Sequence, residues 1–357
     1  MSDVFFWIFI FLGTFILSAL FTFICIKVAK KFRIVDMPNE RKIHKEPVPY
    51  LGGVAIYFSF MIIMFISLKI SPTFNLYTQG VMGVVIASLI VFLLGIYDDV
   101  KGCNASLKFT GQIISALVLI RFGFFIDRIT NPLGGIIYFP YWLSLIVTVF
   151  WIVGLINAIN LLDGLDGLAG GVIAVASFFL FIIALISNNI NVTVLSLLLC
   201  GSSLGFLVFN FPPARIFMGD TGSMFLGLVF SLMAIMGNRK SAAAINLLVP
   251  IVLLTIPIID TLLAILRRAN RGKHIFQADK EHIHHRLLNL GIPYRKVIIL
   301  IYLFCFYLGL VSLLSLYIMK EVFFIILLII GTNVLIGLYI LNIVEDRIEK
   351  NIKENGS

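Results

Sequence analysis

Hydrophobic residues make up 60% of this 357-residue chain and charged residues only 13%, where a soluble domain carries about a quarter charged. That balance excludes a water-soluble globular fold. The formal net charge of +9 calls for no nucleic acid, because anionic lipid headgroups favour basic loops beside a membrane.

A bilayer core about 30 Å thick takes about 20 apolar residues per helix. Apolar runs of that length predict eleven spans, near 4–26, 51–68, 80–97, 109–123, 142–159, 168–186, 191–209, 222–236, 243–265, 297–318 and 322–344, the fourth and eighth being the weakest. The expected fold is an all-α polytopic membrane protein, one membrane-embedded domain over 1–357, with no long soluble insertion, low-complexity tract or repeat. The first stretch has no basic residue before it and no small-residue cleavage site after it, so it reads as a retained span.

Basic loops stay on the cytosolic side. With the N-terminus outside and the C-terminus inside, 21 of the 27 Lys and Arg residues fall on inner segments and 6 outside. Two inner segments are long, Lys27 to Tyr50 and Arg267 to Lys296, whereas the outer connections are short. All five histidines (His44, His274, His282, His284, His285) and the acids Asp98, Asp99, Asp163, Asp166 and Asp220 lie on that inner side. A convergent set of ionisable groups at membrane depth marks a functional site. Solvated loop ends would explain any one of them but not the set. Cys25, Cys103, Cys200 and Cys305 have no spacing for a metal or a disulfide and read as packing residues.

In the first inner loop, DMPNERKIHKEPVPYLGG, Arg41, Lys42, His44 and Lys45 precede a Pro-rich turn. They serve either as a topology signal or as a seat for a lipid-borne phosphate. GIYDDVKG then places Asp98 and Asp99 at the end of the third span. Adjacent carboxylates repel unless a cation or proton lies between them, and magnesium prefers such oxygen ligands. One of the pair could instead accept a proton, or the pair could be a solvated span end. In NAINLLDGLDGLAGG, Asn157, Asn160, Asp163 and Asp166 are spaced three apart. The first three can share a helix face, and amides and carboxylates offer what a uracil edge and ribose hydroxyls require. A plain turn between helices is the alternative.

NFPPARIFMGDTGS brings Asn210, Arg215, Phe217 and Asp220 within eleven residues. Asp220 or Thr221 could simply cap the next helix. The functional alternative puts Asp220 on magnesium, Arg215 near phosphate and Phe217 against a base ring. Asp260 follows two prolines, Pro250 and Pro257, late in the ninth span, where a salt bridge to Arg267 or Arg268 is expected. In RRANRGKHIFQADKEHIHHRLLNLG, His282, His284 and His285 stand among basic residues. Phosphate handling suits that setting better than zinc, which would need a third ligand, and a neutral-pH titrating group can protonate a leaving phosphate.

Taken in order, PxxRxxH, DDVK, NAINLLDGLDGLA, NFPPARIFMGDTGS and ADKEHIHHRL, from about Arg41 to Gly291, resemble the polyprenyl-phosphate N-acetylhexosamine-1-phosphate transferases, relatives of the phospho-N-acetylmuramoyl-pentapeptide transferases. The resemblance implies an eleven-helix enzyme of the bacterial inner membrane with a cytosolic cleft. There a lipid phosphate attacks a UDP-sugar, UMP leaves and a lipid diphosphate-sugar remains, the first intermediate of a surface glycan. It implies magnesium, with manganese as a substitute, on Asp220 and Asp99. Asp98 and Asp99 would serve the lipid phosphate or its deprotonation. Asn160, Asp163, Asp166, Asn210 and Phe217 would bind nucleotide, and Lys108, His282, His284 and His285 would handle phosphates. The HIHHRL form resembles the branch using UDP-GlcNAc, with another UDP-N-acetylhexosamine or UDP-MurNAc-pentapeptide as the alternative donor. Direct attack and a covalent phospho-sugar on an Asp both stay open, and so does a homodimer. The rivals from other classes are a secondary transporter, whose site should lie near the midplane, and a non-catalytic scaffold.

Overall fold

In a bilayer the backbone must satisfy its own N–H and C=O groups, which a helix does within one segment. The computed structural model describes residues 3–36, 47–71, 74, 77–131, 135–240, 248–270, 282–318, 322–334, 336–337 and 340; Arg41, Lys42, His44, Lys45 and His274 lie outside them. The helices are α1 (Asp3–Phe32), α2 (Gly52–Ile70), α3 (Tyr77–Lys101), α4 (Ala105–Arg121), α5 (Tyr141–Leu162), α6 (Leu168–Ile186), α7 (Ile190–Asn210), α8 (Gly219–Lys240), α9 (Leu248–Leu253), α10 (Thr255–Asn270), α11 (Ile283–Asn289) and α12 (Tyr294–Leu314). Two short antiparallel pairs join them, β1 (Val35–Asp36) with β2 (Val48–Pro49) and β3 (Arg128–Thr130) with β4 (Ile136–Tyr138).

Each of the eleven expected spans has helix at its place, though the elements differ in kind. Among the described residues eight helices, α1 to α3, α5 to α8 and α12, are long and apolar enough to cross a membrane, and Thr255–Ile265 and Val322–Val334 are shorter apolar helices. The fourth span is the 17-residue α4, about 26 Å at 1.5 Å per residue. The ninth is broken at Leu254 into α9 and α10. Pro257 lacks an N–H and clashes with the preceding turn, and the Thr255 hydroxyl is shared between the Ile251 and Val252 carbonyls at 3.1 and 2.8 Å. Two ends also differ. Helix α3 continues past the expected 97 through Lys101, and α8 begins at Gly219, ahead of the expected 222. Asp98, Asp99 and Asp220 are therefore on helical turns and not in loops.

Helix α8 is the axis of the bundle. Met224, Phe225, Leu226, Phe230 and Met233 are fully enclosed, whereas α1 turns Val4, Phe5, Leu12 and Ile16 outward as lipid-facing apolar surface does. Between lipid-embedded helices close packing supplies the attraction, so small residues mark the seams. Gly201 and Gly205 of α7 lie against the Phe11 and Phe15 carbonyls of α1, and the Ser18 hydroxyl donates to the Ser202 carbonyl at 2.7 Å.

Candidate active site at one end of the bundle

The C-terminal ends of α3, α5 and α7 and the N-terminal ends of α4, α6, α8 and α12 meet, as alternating spans require. Gly53 of α2 and Gly95 of α3 make the meeting close. A side chain at Gly53 would run into the backbone of Gly222, and one at Gly95 into Thr221. Gly219 sits at φ +71, and a Cβ there would strike the Asp99 carboxylate, so a residue with a side chain is excluded on two counts.

These approaches put Asp99 over the start of α8. Its Oδ1 accepts from the Asp220 backbone N–H at 2.7 Å, and its Oδ2 from the Thr221 N–H at 3.2 Å and the Thr221 hydroxyl at 2.6 Å. The cap of α8 is thus supplied by Asp99 from another helix, not by Asp220 or Thr221 as the local sequence alone allowed. Lys108 Nζ lies 2.8 Å from Asp98 Oδ2 and 2.6 Å from Asp220 Oδ2. Asp98, Asp99 and Asp220 each offer an oxygen within 4.8 Å of the others. That all-oxygen set suits a hard divalent cation such as magnesium or manganese. A carboxylate has about four lone-pair sites; Asp99 has already used three, so Asp98 and Asp220 are the freer ligands.

The two loops expected to hold nucleotide are tied to each other. Asn210, buried at 3% exposure, accepts from the Gly167 N–H at 2.8 Å and donates to the Ile216 carbonyl at 2.8 Å. Asp166 Oδ2 accepts from the Ala214 N–H at 3.0 Å. Helix α12 clamps the same turn: the Asp166 N–H donates to the Tyr294 hydroxyl at 2.6 Å, and the Tyr302 hydroxyl donates to the Gly167 carbonyl at 2.5 Å. Asn160 donates to Ser223 at 2.9 Å, while Asn157, one turn deeper, donates to Gln112 at 2.6 Å. Asp163 closes α5, where desolvation first, and then Asp220, Asp99 and Asp166, raise its carboxyl well above the ordinary range. Arg215 is exposed at the rim. Phe217 stands 6.0 Å from Tyr50, the rings tilted by 57°. Burial chiefly, with Asp36, Asp99 and Asp220 adding, pushes the Tyr50 phenol upward.

The histidines form a row. His282 and His284 stack at 5.6 Å and 3°, and His285 follows at 4.4 Å. His284 is 2% exposed with no hydrogen bond to either ring nitrogen, and its Nε2 lies over Gly164, where a Cβ would stand 2.9 Å away. Burial, then His285, push it down from 6.5 to about 3, so it is a neutral imidazole at neutral pH. Asp260 pairs with His282, Oδ2 to Nδ1 at 2.9 Å, a partner across 22 residues that spacing alone did not suggest.

Gln112, Ser223, Tyr50, Tyr294 and Tyr302 were not legible as site residues. Gln112, Tyr294 and Tyr302 lie inside apolar stretches or beyond the motifs, and Tyr50 and Ser223 fall within the first inner loop and NFPPARIFMGDTGS without any spacing that marks them.

A bundle with one carboxylate cluster clamped by lysine, two amide-bearing loops and a row of imidazoles, all at one end, defines a polytopic membrane protein with its polar groups gathered at one mouth. Glycosyl transferase family 4 matches residues 81–238. A probable undecaprenyl-phosphate N-acetylglucosaminyl 1-phosphate transferase of Bacillus subtilis is 36% identical over 312 residues, 87% of this chain and 85% of the relative. A decaprenyl-phosphate N-acetylglucosaminephosphotransferase of Mycobacterium leprae is 35% identical over 77% of this chain and 75% of its own. An undecaprenyl-phosphate alpha-N-acetylglucosaminyl 1-phosphate transferase of Yersinia pestis is 26% identical over 80% and 78%. The chain belongs to this family of polyprenyl-phosphate N-acetylhexosamine-1-phosphate transferases.

Proposed function

We propose that this protein transfers N-acetylglucosamine-1-phosphate from UDP-GlcNAc to undecaprenyl phosphate at the cytosolic face of a bacterial inner membrane, releasing UMP. The observation that carries the reading is Lys108 bridging Asp98 and Asp220 beside Asp99, in a chain of this family. One substrate is a hydrocarbon with a phosphate head and the other a soluble anion, and only the mouth of the bundle can meet both. Excess basic residues on the same segments favour the cytosolic assignment.

An oxygen of the lipid phosphate bonds to the sugar-bearing phosphorus, and the bond from that phosphorus to the UMP oxygen breaks, UMP leaving with the electron pair. Magnesium, held by Asp220 and Asp98 with the remaining lone pair of Asp99, would neutralise diphosphate charge when bound. Lys108 brings a fixed cation to the same oxygens, and positioned charge of this kind carries most of phosphoryl-transfer catalysis. Arg41 and His44 receive the lipid phosphate, while His285 holds the diphosphate, His282 exchanges a proton with a phosphate oxygen and His284 lends a neutral hydrogen-bonding nitrogen. Asn160, Asp163 and Asp166 face the nucleoside, Phe217 stacks on uracil, and Arg215 closes the phosphate side. Asn210 and Asn157, with their amides engaged inside the fold, act by shaping the pocket. Direct attack is favoured over a covalent aspartyl intermediate because Asp99 accepts three hydrogen bonds and Asp98 is held on Lys108, which blunts either as a nucleophile.

The test is UMP release by purified protein with undecaprenyl phosphate across UDP-GlcNAc, UDP-GalNAc and UDP-MurNAc-pentapeptide. Turnover with UDP-GlcNAc supports the reading; turnover with UDP-MurNAc-pentapeptide alone replaces the donor; none with any of them removes the activity.

A further inference from the structure

Asp260 lies on α10 beyond the break, and both it and His282 are buried, at 3% and 5% exposure. One oxygen, Oδ2, is 2.9 Å from His282 Nδ1, and the other, Oδ1, accepts from the Ile283 backbone N–H at 3.0 Å. A carboxylate only accepts, so Nδ1 carries the proton and Nε2 is the ring atom left to meet a ligand. The second bond caps α11: His282 stands at its N-cap and makes no side-chain capping bond of its own, so Asp260 fills the role from another helix. Because the His282 ring lies parallel to His284, which meets His285 in turn, one carboxylate sets both the first imidazole and the start of the helix presenting the other two. Burying a carboxylate against an imidazole adds little stability over an apolar pair of the same shape, so orientation accounts better for its presence.

We propose that Asp260 is a positioning residue for phosphate transfer, acting through His282 by fixing its tautomer and the direction of Nε2. The inference rests on the phosphate-handling reading of the histidine row. In Asp260→Asn the amide oxygen can still accept from Ile283 N–H, but the amide nitrogen donates where the carboxylate accepted, which moves the imidazole proton to Nε2.

The experiment compares Asp260→Asn, His282→Ala, the double variant and Ile283→Pro in purified full-length protein, with kcat and donor KM measured alongside thermal unfolding. Asp260→Asn is expected to keep donor KM within about threefold and lose kcat by about tenfold or more, as a misplaced acid–base group does. His282→Ala should lose at least as much, and the double variant should be no slower than His282→Ala, since residues acting as a unit are not additive. Ile283→Pro deletes only the capped N–H; proline is accepted at the first helical position, and His282 at φ −65, ψ 149 already has the backbone that precedes one. It should keep kcat within about twofold, so it stays informative even if Asp260→Asn fails to fold. The inference is overturned if Asp260→Asn runs at the wild-type rate, if its loss adds in full to that of His282→Ala, or if Ile283→Pro alone reproduces it. A wild-type rate in His282→Ala would remove the reading of the histidine row as well. A slow His282→Ala beside a normal Asp260→Asn removes only the inference.

Discussion

Asp99 caps the helix that carries Asp220, its Oδ1 taking the Asp220 N–H at 2.7 Å. One acid therefore builds the platform from which the other points, and the two cannot be varied as independent ligands. Asp99→Asn should lower stability by about 1 kcal/mol through the weakened cap and also abolish turnover. Asp220→Asn should abolish turnover with a near-normal unfolding midpoint. Thermal unfolding of both variants, paired with initial rates, checks this split.

Among the described residues Lys108 links Asp98 to Asp220, at 2.8 and 2.6 Å. Lys108→Met leaves three carboxylates facing one another and removes a charge from the reacting phosphates. A fall in kcat of about a hundredfold is expected, the scale of losing one fixed transition-state cation or donor, with a smaller change in donor KM. Steady-state kinetics at saturating magnesium would show it; a loss confined to KM would assign Lys108 to binding alone.

The seams are narrow. Gly53→Ala forces a methyl into the Gly222 backbone, where neither chain can yield without moving α2 or α8. Overpacking of that kind costs about 1–3 kcal/mol, and here it also displaces Asp220. Reduced yield of folded protein and lost activity are expected together. Gly205→Ala, at the remote α1 and α7 seam, should lower the unfolding midpoint while sparing kcat.

His284 gives a pH dependence of defined sign. Its folded value is about 3, against 6.5 ordinarily, so the unfolded chain binds the proton more readily. The contribution to stability is full above 6.5 and is lost progressively as pH falls from 6.5 toward 3. Hydrogen exchange at α11 should accelerate over that window, and His284→Phe, which keeps a stacking ring, should flatten the response.

Tyr294 and Tyr302 hold the turn at Asp166 and Gly167 from α12. Phe at either position removes one hydrogen bond, worth about 1 kcal/mol. Donor KM should rise by about fivefold for that energy while kcat changes little.

Much of this architecture was legible because a long apolar run has few solutions in lipid: every expected span holds helix. Its ends were less legible. Asp98, Asp99 and Asp220 look like residues that stop a span, yet they stay on helical turns because Asp99 satisfies the first N–H groups of α8 and Lys108 neutralises the others. Burial and pairing across distant segments cannot be read from spacing. So Asp260 found His282 across 22 residues, and Asn157 and Asn210 turned their amides toward Gln112, Gly167 and Ile216. The residues gathered at this mouth were visible in the motifs; which of their polar groups are engaged within the fold was not.

The most direct test is transfer of radiolabel from UDP-GlcNAc into a butanol-extractable lipid by purified protein with undecaprenyl phosphate and magnesium, run beside EDTA-treated and Asp220→Asn samples. The account predicts labelled lipid with stoichiometric UMP in the magnesium sample and in neither of the others. Labelled lipid formed equally well with EDTA or by Asp220→Asn would contradict the carboxylate cluster as the reacting centre, and absence of label in all three would contradict the proposed transfer.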